Sequence, residues 1–199
     1  MKLILTRHGE TIENKKGIIQ GHSYGRLSKE GILQAKRLAQ RLKNEKIDCI
    51  YSSDLNRAKD TAKEVAKLHG LKINYIQELR ERNLGKLTGK KKADIKNWEE
   101  IGKRINKLNN KDFGTESLNE MGKRAKKLIK ILLKKHKNQT VLLVSHGGFS
   151  KALIGAITNE SLMKIFNSVE PGNTNVSVFE IYEDKKNKVH LLNCTKHLD

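Results

Sequence analysis

One proline and two cysteines in 199 residues set the first limits on this chain. Proline-rich linkers are excluded. Cys49 and Cys194 lie far apart and form no C-x-x-C, so neither a disulfide framework nor a thiolate zinc site is expected. A reducing cytoplasm is the natural compartment for such a chain. Aromatic residues are only 5% of the total, too few for the stacking platforms of single-strand nucleic-acid binders. No apolar run approaches the ~18 residues of a membrane span. The opening MKLILTRHGE turns charged after a few apolar residues, so no signal-peptide core is expected. Acidic side chains are also scarce, 22 against 41 basic ones, for a net charge of +19.

What is present suffices for a globular core. Leu, Ile, Val and Phe make up about 27% of the chain, above the roughly 20% below which highly charged sequences stay unfolded. The length fits one domain spanning 1–199. Basic residues are spread along the chain, with only short clusters such as Lys90–Lys91–Lys92. Half of the reading of that charge is a solvated, lysine-rich surface. Most of the rest is a general field that attracts anions, compatible with nucleic acid, an acidic membrane or small anionic substrates.

Strand and helix patterns alternate. Leu3–Leu5, Ile47–Tyr51, Ile73–Ile76 and Val141–Val144 read as strands, followed by two closing strands, Asn175–Tyr182 and Lys188–Leu192. Val141–Val144, continuous and partly β-branched, suits a central strand buried on both faces. Helices are predicted after Ser28, after Ser53 or Asp54 and ending near Gly70, after the capping box Ser117–Glu120, and over Phe149–Thr158. Residues 88–113 are polar and lysine-rich and read as a helical excursion off the sheet. The fold class is α/β: three layers, with a mostly parallel central sheet and helices on both faces. The last strand is allowed to run antiparallel.

Titratable groups fall repeatedly just after a strand. Arg7 and His8 follow the first, His146 follows Val141–Val144, and Arg57 lies in the first turn of a helix after Ile47–Tyr51. Loops at the carboxyl ends of strands form the ligand crevice of an open α/β sheet. Adjacent strands would bring two histidines and two arginines into one pocket. Guanidiniums grip phosphoryl oxygens by forked hydrogen bonds, and glycine backbone at Gly9, Gly147 and Gly148 allows close approach of amides. A neutral imidazole can attack phosphorus, and a second, if protonated, can stabilise equatorial charge. No metal and no cofactor is required, because these groups already supply positive charge. Singly, each residue has an ordinary structural reading; their joint placement carries the argument. Thr6 and Glu10 are expected to orient His8 beside a backbone carbonyl, whereas His22, His69, His136, His190 and His197 are read as surface or structural.

Residues 6–14, T-R-H-G-E-T-I-E-N, resemble the signature of the histidine phosphatase superfamily, the phosphoglycerate mutase-like proteins. The resemblance continues through S-S-D-L-N-R-A-K-D-T-A (52–62), E-L-R-E-R-N-L-G-K-L-T-G (78–89), G-T-E-S (114–117), V-S-H-G-G (144–148) and N-C-T-K-H-L (193–198). It implies a phosphoglycerate mutase-like fold, with His8 as the nucleophile. Arg7, Arg57 and His146 would form the phosphate pocket, together with Asn14 and Gly147. Glu81 would be general acid and then base, and Gln20 and Gly21 would reach substrate.

Mutases of this family carry a longer insertion after the acid block, with arginines that hold a carboxylate. Here the excursion is short and Arg104 is its only arginine. The expected activity is therefore metal-independent hydrolysis of small phosphorylated metabolites, sugar or glycerate phosphates, through a phosphohistidine. Cofactor-dependent mutase activity is the alternative, and a nucleic-acid-binding role resting on charge alone is a distant third. A membrane partner is not expected, and monomer and homodimer both remain open.

Overall fold

The computed structural model describes all residues, 1–199. Its strands are β1 (Lys2–Arg7), β2 (Cys49–Ser53), β3 (Ile73–Ile76), β4 (Thr140–Ser145), β5 (Val176–Glu180) and β6 (Lys188–Cys194). Its helices are α1 (Ile12–Lys15), α2 (Lys29–Leu42), α3 (Asn56–His69), α4 (Trp98–Ile105), α5 (Leu118–Lys135), α6 (Gly147–Thr158) and α7 (Leu162–Ser168). The six strands form one sheet in the order β3-β2-β4-β1-β5-β6. The four strands from β3 to β1 run parallel. Both β5 and β6 are antiparallel to their neighbours, so the antiparallel edge is two strands wide. The short connection between β5 and β6 dictates the second of these pairings, since a parallel pair needs a long crossover.

Side-chain alternation along β1 builds the two faces. Leu3 and Leu5 join Val141, Leu143 and residues of α5 and α6 in one core. Ile4 points the other way, into a second core with Ile50, Leu142, Val144 and residues of α2 and α3. A strand buried on both faces has no solvent side for polar residues, and β4 accordingly is buried throughout and sits between β1 and β2.

Helix starts follow local chemistry with one correction. Ser28 Oγ accepts from the Gly31 amide at the start of α2, and Ser117 and Glu120 form the expected capping box of α5. The cap of α3 is instead Leu55, without a side-chain hydrogen bond. Ser53 Oγ accepts from the Leu55 amide in the preceding turn, and Asp54 forms an ion pair with Arg80. Helix α6 begins two residues earlier than its apolar pattern, at Gly147, which places His146 at its cap position. Short α7, with Ile165 its one buried residue, left no periodic signal.

The excursion holds α4 between two single 3-10 turns, 92–94 and 112–114. It has its own small core, in which Ile19, Leu87 and Ile105 are buried and Trp98, Ile101 and Phe113 pack around them. This third cluster stands beside the carboxyl ends of the parallel strands.

Candidate active site

Strands β1 and β4 are neighbours in register, Arg7 opposite Ser145, so His8 and His146 leave the sheet side by side. Their ring centroids are 5.1 Å apart. Strand β2 lies on the other side of β4, and the helix after it brings Arg57 underneath. Each of these side chains except Arg7 is nearly sealed from solvent: His8 is 2%, Arg57 1% and His146 0% exposed.

Hydrogen bonds fix the tautomers. His8 Nδ1 lies 2.7 Å from the Gly9 carbonyl, which can only accept, so Nδ1 carries the proton and Nε2 keeps its lone pair. Thr6 and Glu10 do not orient the ring as expected. Thr6 Oγ1 donates to the Arg7 carbonyl, and the Glu10 carboxylate accepts from Ser28 Oγ. Arg57 Nε donates to His146 Nδ1 at 3.2 Å, which leaves the His146 proton on Nε2. That Nε2–H is buried without a partner, as is Arg7 Nε. Buried donors are nearly always paired, so two orphans beside a free imidazole nitrogen are exceptions that an anion would satisfy.

The electrostatics agree. Burial, then the charges of Arg57 and Arg7, hold His8 well below the ordinary histidine value. Burial and the same arginines, with His8, do the same for His146. Both rings are therefore neutral near pH 7, and His146 acts as a hydrogen-bond donor rather than the protonated group the sequence allowed. Burial pushes Arg57 down to about 10, still charged at neutral pH.

The arginines are held by backbone. Arg57 Nη1 donates to the Ser23 carbonyl and Nη2 to that of Gly21, at 2.9 and 2.8 Å. Three of its five N–H groups are thus engaged, and its fork is partly closed on the 20–23 loop. Arg7 Nη1 donates to the Pro171 carbonyl, and the Arg7 amide donates to Asn175 Oδ1. Asn173 Nδ2 donates to the His8 carbonyl. These supports, from the loop before β5, carry no sequence signal; a run of turn-forming residues does not announce which distant carbonyl it reaches.

Glu81 sits across the site. Its carboxylate accepts from the amides of Gly148 at 3.1 Å and Phe149 at 3.0 Å in the first turn of α6, and from the Arg82 amide at 2.9 Å. The Gly148 amide is therefore engaged by Glu81, and that of Gly9 by Thr61 Oγ1, so neither is free for phosphate as the glycines suggested. Gly147 lies against Arg7, whose Nε would be 3.4 Å from an added Cβ. His22 is more than a surface group: its Nε2 donates to the Glu81 carbonyl at 2.7 Å.

A cavity of about 280 Å³ opens on these groups. Arg7, His8, Asn14, Gln20, Gly21, Arg57 and Glu81 line it, whereas His146, fully buried, and Gly147 are not among its lining residues. Asn14 also has a structural role, since its Oδ1 accepts from the Thr11 amide and hydroxyl in a capping box. The far wall comes from Arg82 and from the excursion, through Lys92, Trp98, Gly102, Ile105 and Asn106. Arg82, unmarked by any sequence signal, ties the wall to Glu81. It donates to the carbonyls of Ile105 and Glu116 and to Asn106 Oδ1.

The model of the histidine phosphatase superfamily (branch 1) matches residues 3–195. The chain belongs to that superfamily. A metal-independent phosphoserine phosphatase of Arabidopsis thaliana is 36% identical over 166 residues, 80% of this chain and 70% of the relative. Phosphoglycerate mutase-like protein 4 of the same plant is 32% identical over 204 residues, covering 100% of this chain and 87% of the relative. Among solved structures, a mutant phosphoserine phosphatase from Entamoeba histolytica in complex with phosphoserine superimposes with a TM-score of 0.86 at 30% identity. That match covers 99% of this chain and 98% of the other. Histidine phosphatase family members of this kind share the α/β architecture described above, and this chain is a phosphoric monoester hydrolase of the same type.

Proposed function

We propose that the chain hydrolyses small phosphorylated metabolites through a phosphohistidine on His8. The observation that carries this reading is the free Nε2 of His8 beside two orphaned buried donors, His146 Nε2–H and Arg7 Nε. The phosphate sits against these donors and the remaining N–H groups of Arg57. His8 Nε2 attacks phosphorus, the P–O bond to the leaving group breaks, and Glu81 delivers a proton to the departing oxygen. Water then attacks the phosphorus, the P–N bond breaks, Glu81 takes the water's proton, and inorganic phosphate leaves with His8 restored. His146 and the arginines stabilise the oxyanions throughout, supplying the positive charge that a metal supplies elsewhere.

Phosphomonoester hydrolysis is favoured over mutase activity by the excursion. Arg104, its only arginine, pairs with Asp112 at 2.6 Å and does not line the cavity. The family match over 3–195 supports reading 1–199 as one domain. Two free, half-buried thiols support a cytoplasmic location, and no helix is long and apolar enough to cross a membrane. Incubation with a ³²P-labelled ester such as phosphoserine, followed by alkaline quench, tests the mechanism. Wild type should retain an acid-labile label and release phosphate, and His8→Ala should do neither; turnover that survives His8→Ala overturns the proposal.

A further inference from the structure

Six glycines lie inside the α-helices, and four of them have an evident steric reason to be glycine. An added Cβ at Gly31 would strike the Glu10 carbonyl, at Gly122 or Gly155 the side chain of Leu162, and at Gly148 the Glu81 carboxylate, whereas at Gly147, the first residue of α6, it would only touch the Arg7 guanidinium at 3.4 Å. Gly102, in the middle of α4, meets nothing within 4 Å. Its φ is not positive, so its backbone does not call for glycine either. Glycine in a helix interior is unfavourable relative to alanine. Nothing in the protein itself compensates at this position.

Gly102 lines the active-site cavity. Trp98, four residues before, and Ile105, three after, line the same cavity, so one face of α4 forms its wall with a notch between two large side chains. Lys92 Nζ lies 5.8 Å from the Trp98 ring centroid, and the ring packs into the small third core. Phe166 lines the cavity as well. The cavity is thus polar and cationic around His8, and around the notch it is mixed: Trp98, Ile105 and Phe166 supply apolar surface, and Lys92 and Asn106 supply polar groups.

We propose that Gly102 and Trp98 form a leaving-group subsite, and that Gly102 sets its size. This rests on the phosphatase reading above and narrows it. The preferred esters carry a leaving group bulkier than a three-carbon chain, with a flat or apolar face that lies in the notch against Trp98. A small phosphate ester reaches His8 without filling the notch. Ligand sites of this kind combine an apolar wall with a few fixed polar groups, as this cavity does.

The test compares 1-naphthyl phosphate with phosphoserine in wild type, Gly102→Ala, Gly102→Leu and Trp98→Ala. Gly102→Leu should lower kcat/KM for the naphthyl ester at least about tenfold relative to that for phosphoserine, chiefly through KM. Gly102→Ala, which leaves most of the notch open, should shift that ratio far less and raise Tm by about 2–4 °C. Trp98→Ala provides a second route should Gly102→Leu fail to fold, and should raise KM for the naphthyl ester more than for phosphoserine. An unchanged ratio in folded Gly102→Leu, or equal losses on both esters, overturns the subsite. Wild type that turns over neither ester overturns the phosphatase reading, and the subsite with it.

Discussion

At the scale of single residues, two neutral imidazoles buried among arginines make stability depend on pH. His8 and His146 are both held below their ordinary value, first by burial and then by Arg57. Below pH about 6.5 the unfolded chain takes up protons at these positions while the folded chain does not. Their contribution is therefore neutral above that pH and destabilising below it, by up to about 1.4 kcal/mol per pH unit for each ring. Urea unfolding at stepwise lower pH should show this loss, and His8→Asn should remove about half of the slope that the two rings contribute. A wild-type slope equal to that of the variant would contradict the burial argument. Glu81 is tested by the leaving group: Glu81→Gln should slow phosphoserine hydrolysis by about 10²-fold or more and an activated aryl phosphate much less. Equal losses would assign Glu81 to holding the start of α6, where its carboxylate meets the Gly148 and Phe149 amides.

Among the elements, α4 is the one whose place depends on a few polar bonds. Its contacts to the rest run through a small core of three buried residues and through Arg82, a 4% exposed guanidinium that reaches Ile105, Asn106 and Glu116. Arg82→Met keeps the apolar stem and removes all three bonds. Amide hydrogen exchange across 98–106 should accelerate in this variant, while β4, buried on both faces, keeps its protection. KM for esters with large leaving groups should rise alongside, because the same helix walls the cavity. Unchanged exchange across 98–106 would mean that the small core alone holds the helix.

For the whole molecule, a charge of +19 surrounds a cavity lined by Arg7 and Arg57. Exposed charges are screened over about 10 Å at 0.1 M salt, whereas the buried arginines are shielded from that screening. Raising sodium chloride to about 0.3 M should therefore lower kcat/KM while leaving kcat nearly constant, and more so for a bisphosphate than for a monophosphate. Loss of kcat itself would place the salt effect in the site rather than in the field.

Much of this was legible in the chain. The continuous apolar runs at Leu3–Leu5 and 141–144 mark buried strands, and a strand of only Val and Leu suits the centre of the sheet, whereas which core Leu3, Ile4 and Leu5 each enter follows from the folded sheet. Local chemistry likewise determined the capping of α2 and α5, because a cap and its amide lie within three residues of each other. Long-range partners were decided only in three dimensions. Nothing near residue 171 indicates that its carbonyl receives Arg7, and nothing near His22 or Arg82 indicates that they brace Glu81 and the cavity wall. Periodicity and capping are interactions between near neighbours, so composition and spacing encode them directly. A buried hydrogen bond between distant segments exists only once the sheet has set the order of its strands, and it is that order which puts two imidazoles side by side.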